Sequence, residues 1–114
     1  MNIRKTYFMV LVNDMDRAIG FYRDGLGLTV QFQSPDWSEL VQGEAVVALH
    51  SGGTGQAETG LGFEVDDLEA ACEAVTRSGG TIVMPPQDRP GEPIRLSIVR
   101  DTEGNSISLS QAKG

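Results

Sequence analysis

Val12-Asn13-Asp14-Met15-Asp16-Arg17-Ala18 and, in the second half of the chain, Val65-Asp66-Asp67-Leu68-Glu69 decide the fold. Each places an aspartate between an apolar run and a helical pattern. There its carboxylate can accept a free backbone N–H of the first helical turn. Upstream lie strand-like runs, Tyr7 to Val12 and Leu61 to Val65. Downstream, Met15, Ala18, Ile19, Tyr22 and Leu26 recur at helical spacing, as do Leu68, Ala71, Cys72 and Val75. Gly25 and Gly27 stop the first helix and Gly79-Gly80 the second. One fixed offset lays Val12–Asp16 over Val65–Glu69, Ala18 over Ala71, Tyr22 over Val75, Gly27 over Gly80 and Val30 over Val83. Shared order and shared offset indicate a duplication.

Working outward, the first half continues with a strand at Leu28–Phe32, a Ser34-Pro35-Asp36 turn and a strand at Trp37–Gln42. The two-residue turn Gly43-Glu44 leads into Ala45–His50. The second half continues with a short strand at Thr81–Met84 and a loop from Pro85 to Pro93. Strands Ile94–Arg100 and Asn105–Ser110 follow, joined by the turn Asp101-Thr102-Glu103-Gly104. The expectation is an α+β domain, 1–114, of two β-α-β-β-β modules. Module one spans 1–50 and module two 60–114, across an unpatterned linker, 51–59 (SGGTGQAET).

The chain has 114 residues, enough to bury a core without disulfide or metal support. Sixteen acidic against nine basic residues give a net charge of −7, which speaks against a nucleic-acid partner or an anionic membrane surface. The single cysteine, Cys72, excludes an intrachain disulfide and any multi-cysteine zinc site. The apolar run Tyr7–Val12 is too short to cross a bilayer, and no small-residue cleavage site follows it, so a cytoplasmic location is expected.

Strand residues alternate between faces. One set (Phe8, Val10, Val12, Leu40, Val47, Leu49, Leu61, Phe63, Ile94, Leu96, Ile98, Ile107, Leu109) is apolar and is expected under the helices. The opposite set includes Tyr7, Met9, Trp37, Glu39, Ala48, His50, Gly60, Gly62, Glu64, Arg95, Ser106, Ser108 and Ser110. Small residues beside large ones leave room, and scattered polar groups can orient a guest, as in a ligand-lined concavity.

These features resemble the vicinal oxygen chelate superfamily, which contains glyoxalase I, extradiol dioxygenases, fosfomycin-resistance enzymes and bleomycin-resistance proteins. The resemblance rests on the doubled element order, on Val12–Ala18 running into Phe21-Tyr22 and Leu26-Gly27-Leu28, and on Asp101-Thr102-Glu103-Gly104-Asn105 before the last strand. It implies a cup-shaped, eight-stranded mixed sheet with helices outside, assembled as a homodimer. In metal-dependent members, His, Gln or Glu ligands occupy positions that fall here on Tyr7, Ala48, Gly60 and Ser108. None is a usual ligand, and alanine and glycine offer no side-chain donor. The resemblance therefore implies the metal-free branch, with no cofactor: a small-molecule binder of the antibiotic-sequestering kind. The alternative is a lyase, isomerase or dioxygenase with a non-standard site.

The expected ligand-binding residues are Tyr7, Met9, Trp37, Glu39, His50, Glu64, Arg95 and Ser108, with an aromatic or cationic guest; no catalytic residue is assigned. Trp37 is a stacking platform, a dimer anchor or a lid. His50 either contacts ligand or ends its strand beside the linker. Glu39, His50 and Glu64 together could form a displaced metal site. Arg95 either clamps an anion or neutralises Glu39 or Glu64. Cys72 reads as a small core residue, and the serine stripe as hydrogen-bond donors without an activating base.

Overall fold

Both aspartates cap the helices that follow them, in nearly the same backbone conformation. The computed structural model describes residues 1–113, and in it Asp14 (φ −123°, ψ 105°) accepts from the Arg17 N–H. Asp67 (φ −138°, ψ 101°) accepts from the Ala70 N–H. Strand β1 (Phe8–Val12) leads into helix α1 (Met15–Gly20), which a π-helical turn (Phe21–Gly25) prolongs. Strands β2 (Thr29–Phe32), β3 (Trp37–Gln42) and β4 (Ala45–Ser51) complete the first module. The second repeats the order: β5 (Glu58–Glu64), α2 (Leu68–Arg77), β6 (Thr81–Asp88), β7 (Ile94–Arg100) and β8 (Ser106–Ala112).

The eight strands sort into two four-stranded mixed sheets, ordered β1-β4-β3-β2 and β5-β8-β7-β6. In each, the module's first strand runs parallel to its last, and the remaining neighbours are antiparallel. One apolar core joins the helix-covered sides of both sheets, from Val10, Phe21, Tyr22, Leu40 and Leu49 to Leu68, Val75, Val99, Ile107 and Leu109. Close approach at Gly80 permits this joint. A Cβ there would lie 2.5 Å from the Arg100 carbonyl oxygen and 2.8 Å from the Phe21 ring, so any side chain would overpack it.

The duplication holds through the helix starts, and the offset then shortens by one residue. The positive-φ glycine after each helix is Gly27 in module one but Gly79, not Gly80, in module two. Val30 packs on the core as Ile82 does, whereas Val83 is 53% exposed. The physical cause is the π-helical turn, closed by Leu26 N–H donating to the Phe21 carbonyl, which takes up one extra residue. That turn sets the Phe21 and Tyr22 rings edge-to-face at 5.1 Å inside the core.

Several strand ends differ from expectation, and three differences matter here. Strand β4 runs to Ser51 and β5 starts at Glu58, which shortens the linker at both ends. Pro85 and Pro86, expected in a loop, sit inside β6; the strand is a sheet edge with register shifts, where a missing N–H is tolerated. The third, in the β7–β8 turn, changes which residues face the site. Arg100 pairs with Ser106, not Asn105, so the connection holds five residues rather than four. A one-residue slip reverses every side chain of a strand. Ser97 and Val99 are therefore fully buried on the helix side, while Leu96 and Ile98 share the opposite face with Ser110 and Ser108.

The Asp101–Asn105 loop fastens the modules together. The fully buried Glu103 carboxylate accepts from the Asn13 and Asp14 N–H groups at 3.0 and 2.8 Å and pairs with Arg17 at 2.9 Å. Asp101 accepts the Tyr22 hydroxyl at 2.6 Å, and Asn105 Nδ2 donates to the Leu11 carbonyl at 2.9 Å. Asn105 also accepts from the linker N–H of Ala57.

Candidate functional site

The helices cover one side of each sheet and leave the other open. On the first sheet, cross-strand pairing lines up two rows on the open face: Leu11, His50 and Trp37, then Met9, Ala48, Glu39 and Phe32. Tyr7, just before β1, extends the alternation of Met9 and Leu11. Tyr7, Met9 and Phe32 stand 50%, 45% and 53% exposed, an unusual concentration of large apolar surface. Ala48, the small residue between Met9 and Glu39, is fully buried at the floor.

Three rings and a carboxylate form the polar and aromatic centre of this face. Tyr7 meets Trp37 edge-to-face at 5.5 Å, and Trp37 lies 5.8 Å from the His50 ring at a 59° tilt. The Trp37 Nε1–H donates to Glu39 Oε2 at 2.8 Å, while Lys5 donates to Oε1. These two donors, Lys5 first, hold the Glu39 carboxyl below its ordinary range. Such a cluster can stack a planar group and receive a positive one.

The second sheet presents Gly62, Ser108, Ile98 and Met84 in one row and Glu64, Ser110, Leu96 and Gln87 in the next. A Cβ at Gly62 would lie 2.6 Å from Ser108 Oγ, so the glycine keeps room for the hydroxyl. Of the eight expected ligand-binding residues, Tyr7, Met9, Trp37, Glu39 and His50 share the first open face. Glu64 and Ser108 lie on the second.

Arg95 belongs to neither face. With β7 reversed it turns to α2 and pairs with Glu69 at 2.7 Å and Asp88 at 3.5 Å, instead of Glu39 or Glu64. Cys72 is a buried free thiol whose Sγ is 3.4 Å from Ser97 Oγ. The sequence reading missed Lys5 and the apolar pair Leu96 and Ile98. Lys5 stands two residues before Tyr7, so the alternation that selected Tyr7 and Met9 also selects it.

The profile of the glyoxalase/bleomycin resistance protein/dioxygenase superfamily matches residues 5–109. The chain belongs to this superfamily. A curated relative from Haemophilus influenzae, named lactoylglutathione lyase, is 28% identical and is covered over 90% of its length by 92% of this chain. Among solved structures, the chain is similar to TnmS3, an antibiotic binding protein from Streptomyces sp. CB03234. That match has a TM-score of 0.78 and 23% identity, covering 98% of each chain. It is also similar to the bleomycin-binding protein of Streptomyces verticillus complexed with copper(II)-bleomycin, with a TM-score of 0.70 and 21% identity over 96% of each chain. At these identities the structural likeness carries the fold.

Metal-dependent members of the superfamily need a donor set, and these residues do not fit one. Ala48 and Gly60 have no donor atom, and the remaining positions, Tyr7 and Ser108, offer only neutral hydroxyls. Among the described residues, no three His, Cys, Asp or Glu side chains form a group that could hold a metal ion. Glu39, His50 and Glu64 do not form such a group: Glu39 and His50 lie on the first sheet and Glu64 on the second. No helix among the described residues is long and apolar enough to cross a membrane.

Proposed function

We propose that this protein binds a small molecule on its open sheet face by stacking and charge, without a metal or other cofactor, as a sequestering protein and not a catalyst. The observation that carries this reading is the Tyr7–Trp37–His50 ring cluster around Glu39, set over a buried alanine. Two of its structural neighbours are described as binding antibiotics, bleomycin in one case. The guest is a planar or aromatic molecule carrying positive charge, in keeping with the net charge of −7. Met9 supplies adaptable apolar contact. Glu64 and Ser108, on the open face of the second sheet, are the polar groups proposed for a guest that reaches that sheet.

A second reading, lactoylglutathione lyase activity, rests on the names of relatives such as the Haemophilus influenzae protein. The test is a thermal-shift screen of aromatic cations against chelator-treated protein, paired with a lyase assay in added nickel or zinc. The expected result is a melting temperature raised by aromatic cations alike with and without chelator, since a ligand of the native state stabilises it. No metal-stimulated turnover is expected. Turnover that appears with metal would favour the second reading.

A homodimer is also expected, as the family resemblance implies. Phe32, on the edge strand β2, and Val83 are each 53% exposed, and a partner that buries them removes apolar surface from water. Light scattering at micromolar concentration is expected to give about twice the 12.2 kDa of one chain. A mass near 12.2 kDa would reject the homodimer.

A further inference from the structure

Lys5 is tied to the rest of the protein by one bond, and that bond ends on the candidate site. Residues 1–6 are exposed and precede β1. Within them, among the described residues, the Lys5–Glu39 contact is the one side-chain hydrogen bond. The two partners are unlike: the Lys5 side chain is 47% exposed, Glu39 only 15%. The Glu39 carboxylate is oriented independently, because Trp37 Nε1 holds Oε2 and leaves Oε1 for a cation.

We propose that Glu39 Oε1 is the cation subsite of this face and that Lys5 fills it in the free protein, as an internal competitor of the guest's ammonium group. The inference rests on the open face being a binding site and adds to it the chemical class of the guest. That class is an aromatic ring bearing a primary or secondary ammonium. A ring stacked on the indole and an ammonium on Oε1 use two groups already joined by the Trp37–Glu39 hydrogen bond. The ammonium must donate hydrogen bonds as Lys5 does, so a neutral alcohol of the same shape gains nothing from the carboxylate. Release of Lys5 is inexpensive, because a half-exposed ion pair on an untethered segment is weak. The guest's apparent affinity is then its intrinsic affinity multiplied by the fraction of time that Lys5 spends away from Glu39.

Trp37 is the sole tryptophan, so its emission reports this face directly. The test titrates wild type, Lys5→Gln, Lys5→Arg and Glu39→Gln with phenethylammonium chloride and with 2-phenylethanol, the neutral counterpart. Melting curves verify that each variant folds. Lys5→Gln is expected to bind the ammonium about 3- to 10-fold more tightly, the factor for a site occupied by its competitor most of the time. Lys5→Arg should bind like wild type, since it keeps the competing cation. Glu39→Gln should erase the preference for ammonium over alcohol. Unchanged or weaker binding by Lys5→Gln would overturn the competitor, even with the open-face site intact. Persistence of the ammonium preference in Glu39→Gln would overturn the subsite. Absence of any Trp37 response to either probe in every variant would overturn the open-face reading and the subsite with it.

Discussion

Replacing Glu103 with alanine is expected to lower the unfolding free energy by about 3 kcal/mol, the low end for breaking a buried ion pair. In a domain of this size that is a fall in melting temperature on the order of 10 °C. The side chain is fully buried and receives the Asn13 and Asp14 N–H groups, the Thr102 hydroxyl and the Arg17 guanidinium. Its removal leaves those donors facing a cavity. Arg17 is half-exposed and can recover water, which keeps the loss at the low end.

Acid weakens the same joint. Burial disfavours the charged form of Glu103, but Arg17, the Asp14 N–H, the Thr102 hydroxyl and the Asn13 N–H together outweigh it and hold the carboxyl below its ordinary value. A depressed carboxyl contributes its full stability above the unfolded value, about 4.3 for glutamate, and loses it as pH falls through the lower folded value. The gap between wild type and Glu103→Ala should therefore be largest near neutrality and narrow below about pH 4. Denaturant titrations at several pH values measure it. A gap that stays constant or widens on acidification would contradict this role for Glu103.

Trp37→Ala is expected to weaken binding of an aromatic ammonium by about 1–3 kcal/mol, or roughly 5- to 150-fold, the range for a stacking aromatic at a partly desolvated contact. The loss goes beyond ring area. Trp37 also touches Tyr7 and His50 and positions Glu39 through its Nε1–H, so truncation frees all three neighbours. Calorimetry is the suitable readout, since the variant has lost its fluorophore. Trp37→Phe separates the two contributions: it keeps a ring for stacking but cannot donate to Glu39, and it should recover part of the loss. Calorimetry that finds wild-type affinity in Trp37→Ala would remove the indole from the site.

The helix caps were legible because Asp14 and Asp67 act through local chemistry, a side chain accepting a backbone N–H three residues on. The open face of the first sheet was legible for a related reason. The Gly43-Glu44 turn fixes the register of β3 on β4, and with it the faces of Trp37, Glu39 and His50. The face of Arg95 was not legible. Alternation along β7 sets Ile94, Leu96 and Ile98 against Arg95, Ser97 and Val99 and so favours the wrong face; the length of the Asp101–Asn105 connection decides instead. That length is set by distant partners: Asn105 bonds Leu11 and Ala57, and Glu103 bonds Asn13, Asp14 and Arg17. Local turn propensity carries no information about them. The π-helical turn escaped for the same reason, since the tertiary bond from Tyr22 to Asp101 and the packing of Phe21 favour it over a regular helix end.

Metal-free recognition of an aromatic cation by the open face of the first sheet is tested most directly by a heteronuclear NMR titration in excess chelator. Phenethylammonium should shift the Trp37 indole N–H, the His50 ring and the amides of Met9, Glu39 and Ala48, with saturation and without any added metal. Shifts confined to the helix side, or shifts that appear only once a divalent metal is supplied, would contradict it.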